Sequence, residues 1–167
     1  IVNYNSGETI KDCLASLVKE KVKIIVVDNN SPDDSIEEVK RNYGKRVIYI
    51  ENHTNLGFAK AANQGIMKAL NEGASAILLL NPDTLPTKNF LQSLIRSKAD
   101  IAAPIIKFKL RGKWLYDHGG KINWVLGRTT HVETESSSPV KEKIDYVSGC
   151  AMMVKRKVFE KIGFFDE

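Results

Sequence analysis

Apolar positions along the first hundred residues follow two alternating patterns. Short continuous runs rich in Val, Ile and Leu at 1–4, 23–27, 46–50 and 76–80 read as strands, those at 23–27 and 76–80 as fully apolar, buried ones. Between them lie sets at helical spacing: Ile10, Cys13, Leu14, Leu17 and Val18, then Ile36 and Val39, then Ala59, Ala62, Ile66, Ala69 and Leu70. Phe90, Leu91, Leu94 and Ile95 form a fourth set, followed by a strand near 101–103. Ser6 suits the cap of the first helix and Gly73 the stop of the third. The alternation predicts an α/β fold in which helices flank a mostly parallel sheet.

From residue 105 onward the pattern changes. Hairpin material is predicted at 105–110, 114–116 and 122–126, with Gly112, Gly119, Gly120 and Gly127 as breaks. A polar loop at 129–139, a strand at 146–154 interrupted by Gly149, and a helix at 155–162 complete the reading. Neither a repeat nor a linker divides the chain, so one domain is expected, with a nucleotide-binding half at 1–104 and a partial acceptor-side half at 105–167. Ile1 lies inside a strand and Asp166 and Glu167 directly follow an apolar run, so both ends read as cut.

A length of 167 residues, 43% hydrophobic and 27% charged, suits one soluble globular domain. No apolar run approaches the roughly 20 residues of a bilayer-spanning helix, and no signal peptide is visible. Cys13 and Cys150 show neither CxxC nor His spacing and read as buried thiols in a reducing compartment. The net charge of +5 is uneven: residues 88–128 hold nine Lys or Arg against Asp100 and Asp117. Such a basic middle suits a diphosphate or an anionic membrane face. Nucleic acid is not expected as a partner, because Trp114, Tyr116 and Trp124 lack the spacing of a stacking platform and no nucleic-acid motif accompanies the charge.

Ligands of an open parallel sheet bind beyond the carboxyl ends of its strands. Three polar clusters occupy that position: Asn3-Tyr4-Asn5, Asp28-Asn29-Asn30-Ser31 and Asn81-Pro82-Asp83. Pro82 biases Asn81 toward extended backbone, which would send the Asp83 carboxylate outward rather than into a cap through Thr84. Mg2+ or Mn2+ takes one or two protein carboxylates with substrate phosphates as further ligands, so Asp83 is the candidate metal anchor. Asp28 offers an acceptor for the ring N–H of uracil or thymine, with an Asx-turn as the competing role. Gly57 allows close backbone approach where a helix begins, and Lys60 and Asn63 lie in its first turns, a site suited to phosphate.

At these residues the chain resembles the family 2 glycosyltransferases of the GT-A fold, in particular their rhamnosyltransferase-like branch. The likeness is carried by Ile1-Val-Asn-Tyr-Asn-Ser6, Val26-Val-Asp-Asn-Asn-Ser31, Asn55-Leu-Gly-Phe-Ala-Lys60 with Asn63 and Gly65, Leu79-Leu-Asn-Pro-Asp-Thr84, Val147-Ser-Gly149, and Phe159 through Glu167. The resemblance implies that Val2, Asn3, Tyr4 and Asp28 hold the nucleoside, with Asn55, Gly57, Lys60 and Asn63 on the donor. It implies that Asn81 and Asp83 form the metal-binding acidic motif, Asn81 standing where many relatives carry a first Asp. Gly149 would border the sugar and acceptor pocket, with Asp166 and Glu167 at its edge, and the general base would lie in an acidic motif farther on.

The implied reaction moves a sugar, with inversion, from a dTDP- or UDP-sugar to a hydroxyl of a saccharide or lipid-linked saccharide, in the cytoplasm or at the inner face of a membrane. A nucleotide-binding module without turnover and a sugar-nucleotide pyrophosphorylase remain as alternatives. No GxGxxG or Walker loop follows the first strand, which weighs against a dehydrogenase and against the pyrophosphorylase.

Overall fold

The computed structural model describes all 167 residues. Strand β1 (Val2–Asn3), helix α1 (Thr9–Leu17), β2 (Ile24–Asp28), α2 (Ser35–Tyr43), β3 (Val47–Glu51), α3 (Phe58–Asn71) and β4 (Ala76–Leu80) follow one another as the apolar periods predict. Strands β1, β2 and β3 form a parallel sheet in that order, with Asn3 opposite Asp28 and Ile24 opposite Val47. Burial of β2 on both faces explains its unbroken Ile-Ile-Val-Val run. Helix α1 lays Ile10, Cys13, Leu14 and Leu17, all buried, against Val26, Val39 and Leu80 to form the main core.

Helix α4 (Phe90–Arg96), β5 (Ile101–Ala102), β6 (Ile106–Leu110), β7 (Lys113–Asn123), β8 (Arg128–Thr134), β9 (Ala151–Lys155) and α5 (Arg156–Ile162) complete the chain. Parallel pairing is confined to β1, β2 and β3. Strand β9 inserts between β4 and β5 and runs antiparallel to both, with Leu80 opposite Ala151. A second core of Ile66, Ile77, Leu79, Val154 and Phe159 joins α3 to this unit. Sequence periodicity reports burial but not strand direction, so the insertion is invisible to it.

Four sequence expectations fail in the second half and at the first cap. Ser6 does not cap α1: its hydroxyl donates to Asn3 Oδ1 at 2.5 Å, and the helix begins at Thr9 without a side-chain cap. Gly119 and Gly120 do not break the hairpin, because β7 runs through them with a bulge between Asp117 and Gly120. A β-carbon on Gly120 would fall 2.2 Å from the Tyr146 ring, so the glycine marks close approach rather than chain reversal. The 129–139 loop is partly strand: β8 holds three Thr and one Val, and it is polar on both faces because it edges an exposed sheet. The Tyr146 backbone pairs with the sheet only as an isolated bridge to Gly120, so the predicted 146–154 strand shortens to β9.

The glycine pair gives a stability test. At Gly119 φ is +103° and an added β-carbon would lie 2.5 Å from the Tyr146 carbonyl oxygen, whereas Gly127, at φ +59°, has open space around it. Gly119→Ala is expected to cost about 2 kcal/mol or more and Gly127→Ala only about 1 kcal/mol, read as a difference in urea unfolding midpoints. Equal losses in the two variants would contradict the packing of β7 beneath Tyr146.

Candidate donor site at the sheet rim

Because β1 and β2 are parallel neighbours, Asn3 and Asp28 stand side by side where both strands end. Both are buried, at 0% and 4% exposure. The Asn3 carboxamide nitrogen lies 2.7 Å from Asp28 Oδ1, 3.1 Å from Ser31 Oγ and 2.8 Å from Ser35 Oγ. Asp28 also accepts from the Ser31 hydroxyl at 2.6 Å and the Ser31 backbone N–H at 3.1 Å, so the Asx-turn forms. Two acceptor positions per carboxylate oxygen leave one unused direction, on Oδ2.

The network continues to Asp33, which accepts from the Ser35 hydroxyl at 2.6 Å and from the Gly7 N–H at 2.8 Å. Burial raises the Asp33 carboxyl, but the hydrogen bonds from Ser35 and Gly7 outweigh it and hold the group below the ordinary carboxylate range. Asn5 and Asn30 take positive φ, 52° and 62°, the left-handed backbone that asparagine tolerates. Tyr4, half exposed, projects from this rim. Val2 instead packs inward and lines an apolar cavity of about 690 Å³ between β2, β4 and α3, which includes neither Asn3, Asp28 nor Asp83.

A second hub is Asn29, 2% exposed. Its Nδ2 donates to Asn55 Oδ1 at 2.7 Å and to the Gly57 carbonyl at 3.3 Å, and its Oδ1 accepts from the Leu56 N–H at 3.0 Å and from Asn52 at 3.2 Å. Gly57, at φ +80°, makes the turn into α3 that these bonds fix. Asn29, Ser31, Asp33, Ser35 and Asn52 were not singled out individually from the sequence. The available signal was the density of short polar residues directly after β2, and for Asn52 after β3, each able to bond the nearby backbone.

At the end of β4 the backbone is held, by the Thr84 side chain among others, while the Asn81 and Asp83 side chains are free. The Asn81 N–H donates to the Cys150 carbonyl at 2.8 Å, and the Thr84 N–H and hydroxyl donate to the Asn81 carbonyl at 3.3 and 2.7 Å. Asp83 is exposed and enters no side-chain hydrogen bond or ion pair, so it does not cap the turn through Thr84. Beneath it, burial pushes the Cys13 thiol up, and the nearby Asp83 charge adds to that rise, keeping the sulfur neutral.

The C-terminal segment occupies two residues expected on the donor. Asn63, 4% exposed, donates to the Phe165 carbonyl at 2.9 Å and to Glu167 Oε1 at 3.1 Å, and accepts from the Phe165 N–H at 3.0 Å. Lys60 lies 3.3 Å from Glu167. The Asn63 hydrogen bond, with Lys60 behind it, holds the Glu167 carboxyl below its ordinary value. Asn63 and Glu167 thus clamp the segment to α3, while Asp166 stays exposed and unengaged. Gly149 is exposed with open space where a β-carbon would point, just before β9.

Comparison with known proteins bears on the fold and the family. Over the full chain it is 30% identical to a dTDP-rhamnosyl transferase of Shigella flexneri and 28% identical to a low-salt glycan biosynthesis hexosyltransferase of Haloferax volcanii, covering 56% and 55% of those proteins. A poly-β-1,6-N-acetyl-D-glucosamine synthase of Staphylococcus aureus is 25% identical over 98% of the chain and 40% of its own length. The chain therefore spans about half the length of the first two of these relatives. Among solved structures, GalNAc-T7 with UDP, GalNAc and Mn2+ superposes with a TM-score of 0.72 at 18% identity, over 99% of this chain and 36% of that one. TarS of S. aureus in complex with UDP gives 0.53 at 24% identity, over 67% of this chain and 35% of that one. These two establish the GT-A fold. Residues 1–163 match the description Glycosyl transferase family 2, and with the sheet, the rim and the acidic turn in place the chain belongs to that family.

Proposed function

We propose that this chain forms the donor side of an inverting, metal-dependent glycosyltransferase that takes a dTDP- or UDP-sugar and acts in cell-surface polysaccharide or glycan synthesis. The observation that carries the reading is Asp83: it is the carboxylate at a strand end that the surrounding protein leaves unsatisfied, whereas Asp28 and Asp33 are already hydrogen-bonded. A single free carboxylate fits Mg2+ or Mn2+ whose remaining ligands are diphosphate oxygens, and no cluster of three or more acidic, His or Cys ligands competes with it. Asp83 would hold the ion, with Asn81 beside it, and the ion would offset charge on the departing diphosphate.

The remaining rim residues then have distinct tasks. Asp28, through its unused Oδ2 direction, accepts the N–H of a uracil or thymine ring, and the exposed Tyr4 ring lies against the nucleoside. Asn29 and Asn55 fix the loop that leads through Gly57 into α3, so that its backbone can approach the donor closely. Lys60 stands near this entrance and, though paired with Glu167, adds positive charge there. Gly149 and Asp166 border the sugar and the acceptor, a saccharide or lipid-linked saccharide. No helix is long and apolar enough to cross a membrane, and a peripheral position at a cytoplasmic membrane face is part of the proposal.

Two measurements test the site. Calorimetric titration of UDP and dTDP, with and without Mn2+, should show metal-dependent affinity that falls by about tenfold or more, ~1.4 kcal/mol, in Asp83→Asn. Undiminished Mn2+-dependent binding in that variant rules out Asp83 as the anchor. For Asp28 the decisive quantity is a ratio, because the ring N3 is a donor in uracil and an acceptor in cytosine. Asp28→Asn should narrow the UDP preference over CDP by roughly tenfold, whatever its effect on overall stability. A ratio equal to that of the unmodified chain would leave Asp28 a purely structural carboxylate.

A further inference from the structure

The hairpin joining β7 to β8 ends in side chains that water does not favour. Trp124, Val125 and Leu126 are 81%, 92% and 64% exposed and follow one another along the turn. Single exposed apolar residues are ordinary, whereas three in succession at the tip of a projecting hairpin form a patch that calls for a partner. The turn is built rather than loose. Asn123 Oδ1 accepts from the Val125 and Leu126 N–H groups at 3.1 and 3.0 Å, Gly127 reverses the chain at φ +59°, and Asn123 pairs with Arg128 beneath it.

Charge is sorted along the same hairpin. Its acidic residues, Asp117 and Glu133, face each other at the base. Just behind the tip stand Lys121 and Arg128, and the neighbouring segment brings Lys141 and Lys143 alongside, tied down where Glu142 bonds Lys121 at 2.5 Å and Asp145 accepts from the Ile122 N–H at 3.0 Å. Four cations stand against two carboxylates, of which Glu142 pairs with Lys121 and Asp145 accepts from the Ile122 N–H, so a net positive collar remains below the apolar tip. At about 3.3 Å per residue, Lys121 lies roughly 7 Å behind Asn123. An apolar group buried about 5–10 Å at the headgroup boundary would place that collar among lipid phosphates.

We infer that Trp124, Val125 and Leu126 insert into the interfacial layer of an anionic lipid bilayer, with Lys121 and Arg128 against the headgroup phosphates. The surface of the hairpin supports this on its own, apart from the donor chemistry at Asp83, although it gives the proposed membrane position a specific point of contact.

The chain has two tryptophans, so Trp114→Phe leaves Trp124 as the sole indole reporter. With vesicles of phosphatidylcholine containing roughly a quarter phosphatidylglycerol, Trp124 emission should shift to the blue and the protein should co-sediment, less so with phosphatidylcholine alone or at high salt. In the two-tryptophan chain, the combined substitution Trp124→Ser, Val125→Ser and Leu126→Ser should weaken vesicle partitioning by at least about tenfold while far-UV circular dichroism and UDP titration stay unchanged. Trp124 emission unmoved by vesicles, or equal partitioning of the triple variant, overturns the inference. So does a blue shift that appears without lipid and grows with protein concentration, which would assign the tip to a second copy of the chain.

Discussion

The organising constraint of this structure is the burial of an amide and a carboxylate side by side where two parallel strands end. Asn3 and Asp28 are almost wholly withdrawn from water, and each would cost about 1–3 kcal/mol for every polar atom left unpaired. The surrounding loops are shaped by that requirement. Ser6 turns back to the Asn3 oxygen instead of capping α1, Ser31 doubles over onto Asp28, and Ser35 passes its own proton to Asp33 while accepting from Asn3. All these donors run toward the two carboxylates, so the network is closed on its protein side and fixes the crevice floor before any ligand arrives.

Asn29 extends the same logic to the next loop. Its four hydrogen bonds satisfy its own buried amide and at the same time set the path from β3 into α3. A loop held this way keeps little freedom to lose when a ligand docks, which is the physical content of a preorganised site. The first half of the chain can therefore be read as two buried asparagines, one per loop, each converting a strand end into a fixed surface.

How much of this was legible in the sequence depends on which physical signal each feature leaves. Strands 24–28 and 76–80 and helix α3 were readable to within a residue or two because burial on one or both faces writes itself into the apolar pattern. The strand-end clusters were readable as a class, since Asn, Asp and Ser gathered after apolar runs mark the rim of an α/β sheet. Which member of a cluster faces a ligand and which is consumed internally was not readable: Asn3 and Asn63 share the residue type of Asn81, yet both are buried and bonded. The hairpin region was readable as such, but not its extent: β8 carries no buried face to create a period, and Gly119 and Gly120 look like breaks unless the position of Tyr146 is known.

The free state of Asp83 has its own structural origin, and it lies in the other half of the chain. A carboxylate kept in place by its own hydrogen bonds, like Asp28, has little acceptor capacity left for a cation. Asp83 is instead positioned through the backbone on either side of it, with the Asn81 N–H fixed to Cys150 and Thr84 folded back onto the Asn81 carbonyl. Both carboxylate oxygens stay available while the chain that carries them is rigid. Cys150 can supply that carbonyl because β9 inserts beside β4, bringing a segment some seventy residues distant against the acidic turn. The antiparallel insertion thus does more than finish a sheet: it lets the Asp83 carboxylate be oriented without being neutralised, so a strand from the far end of the chain belongs to the architecture of the acidic turn.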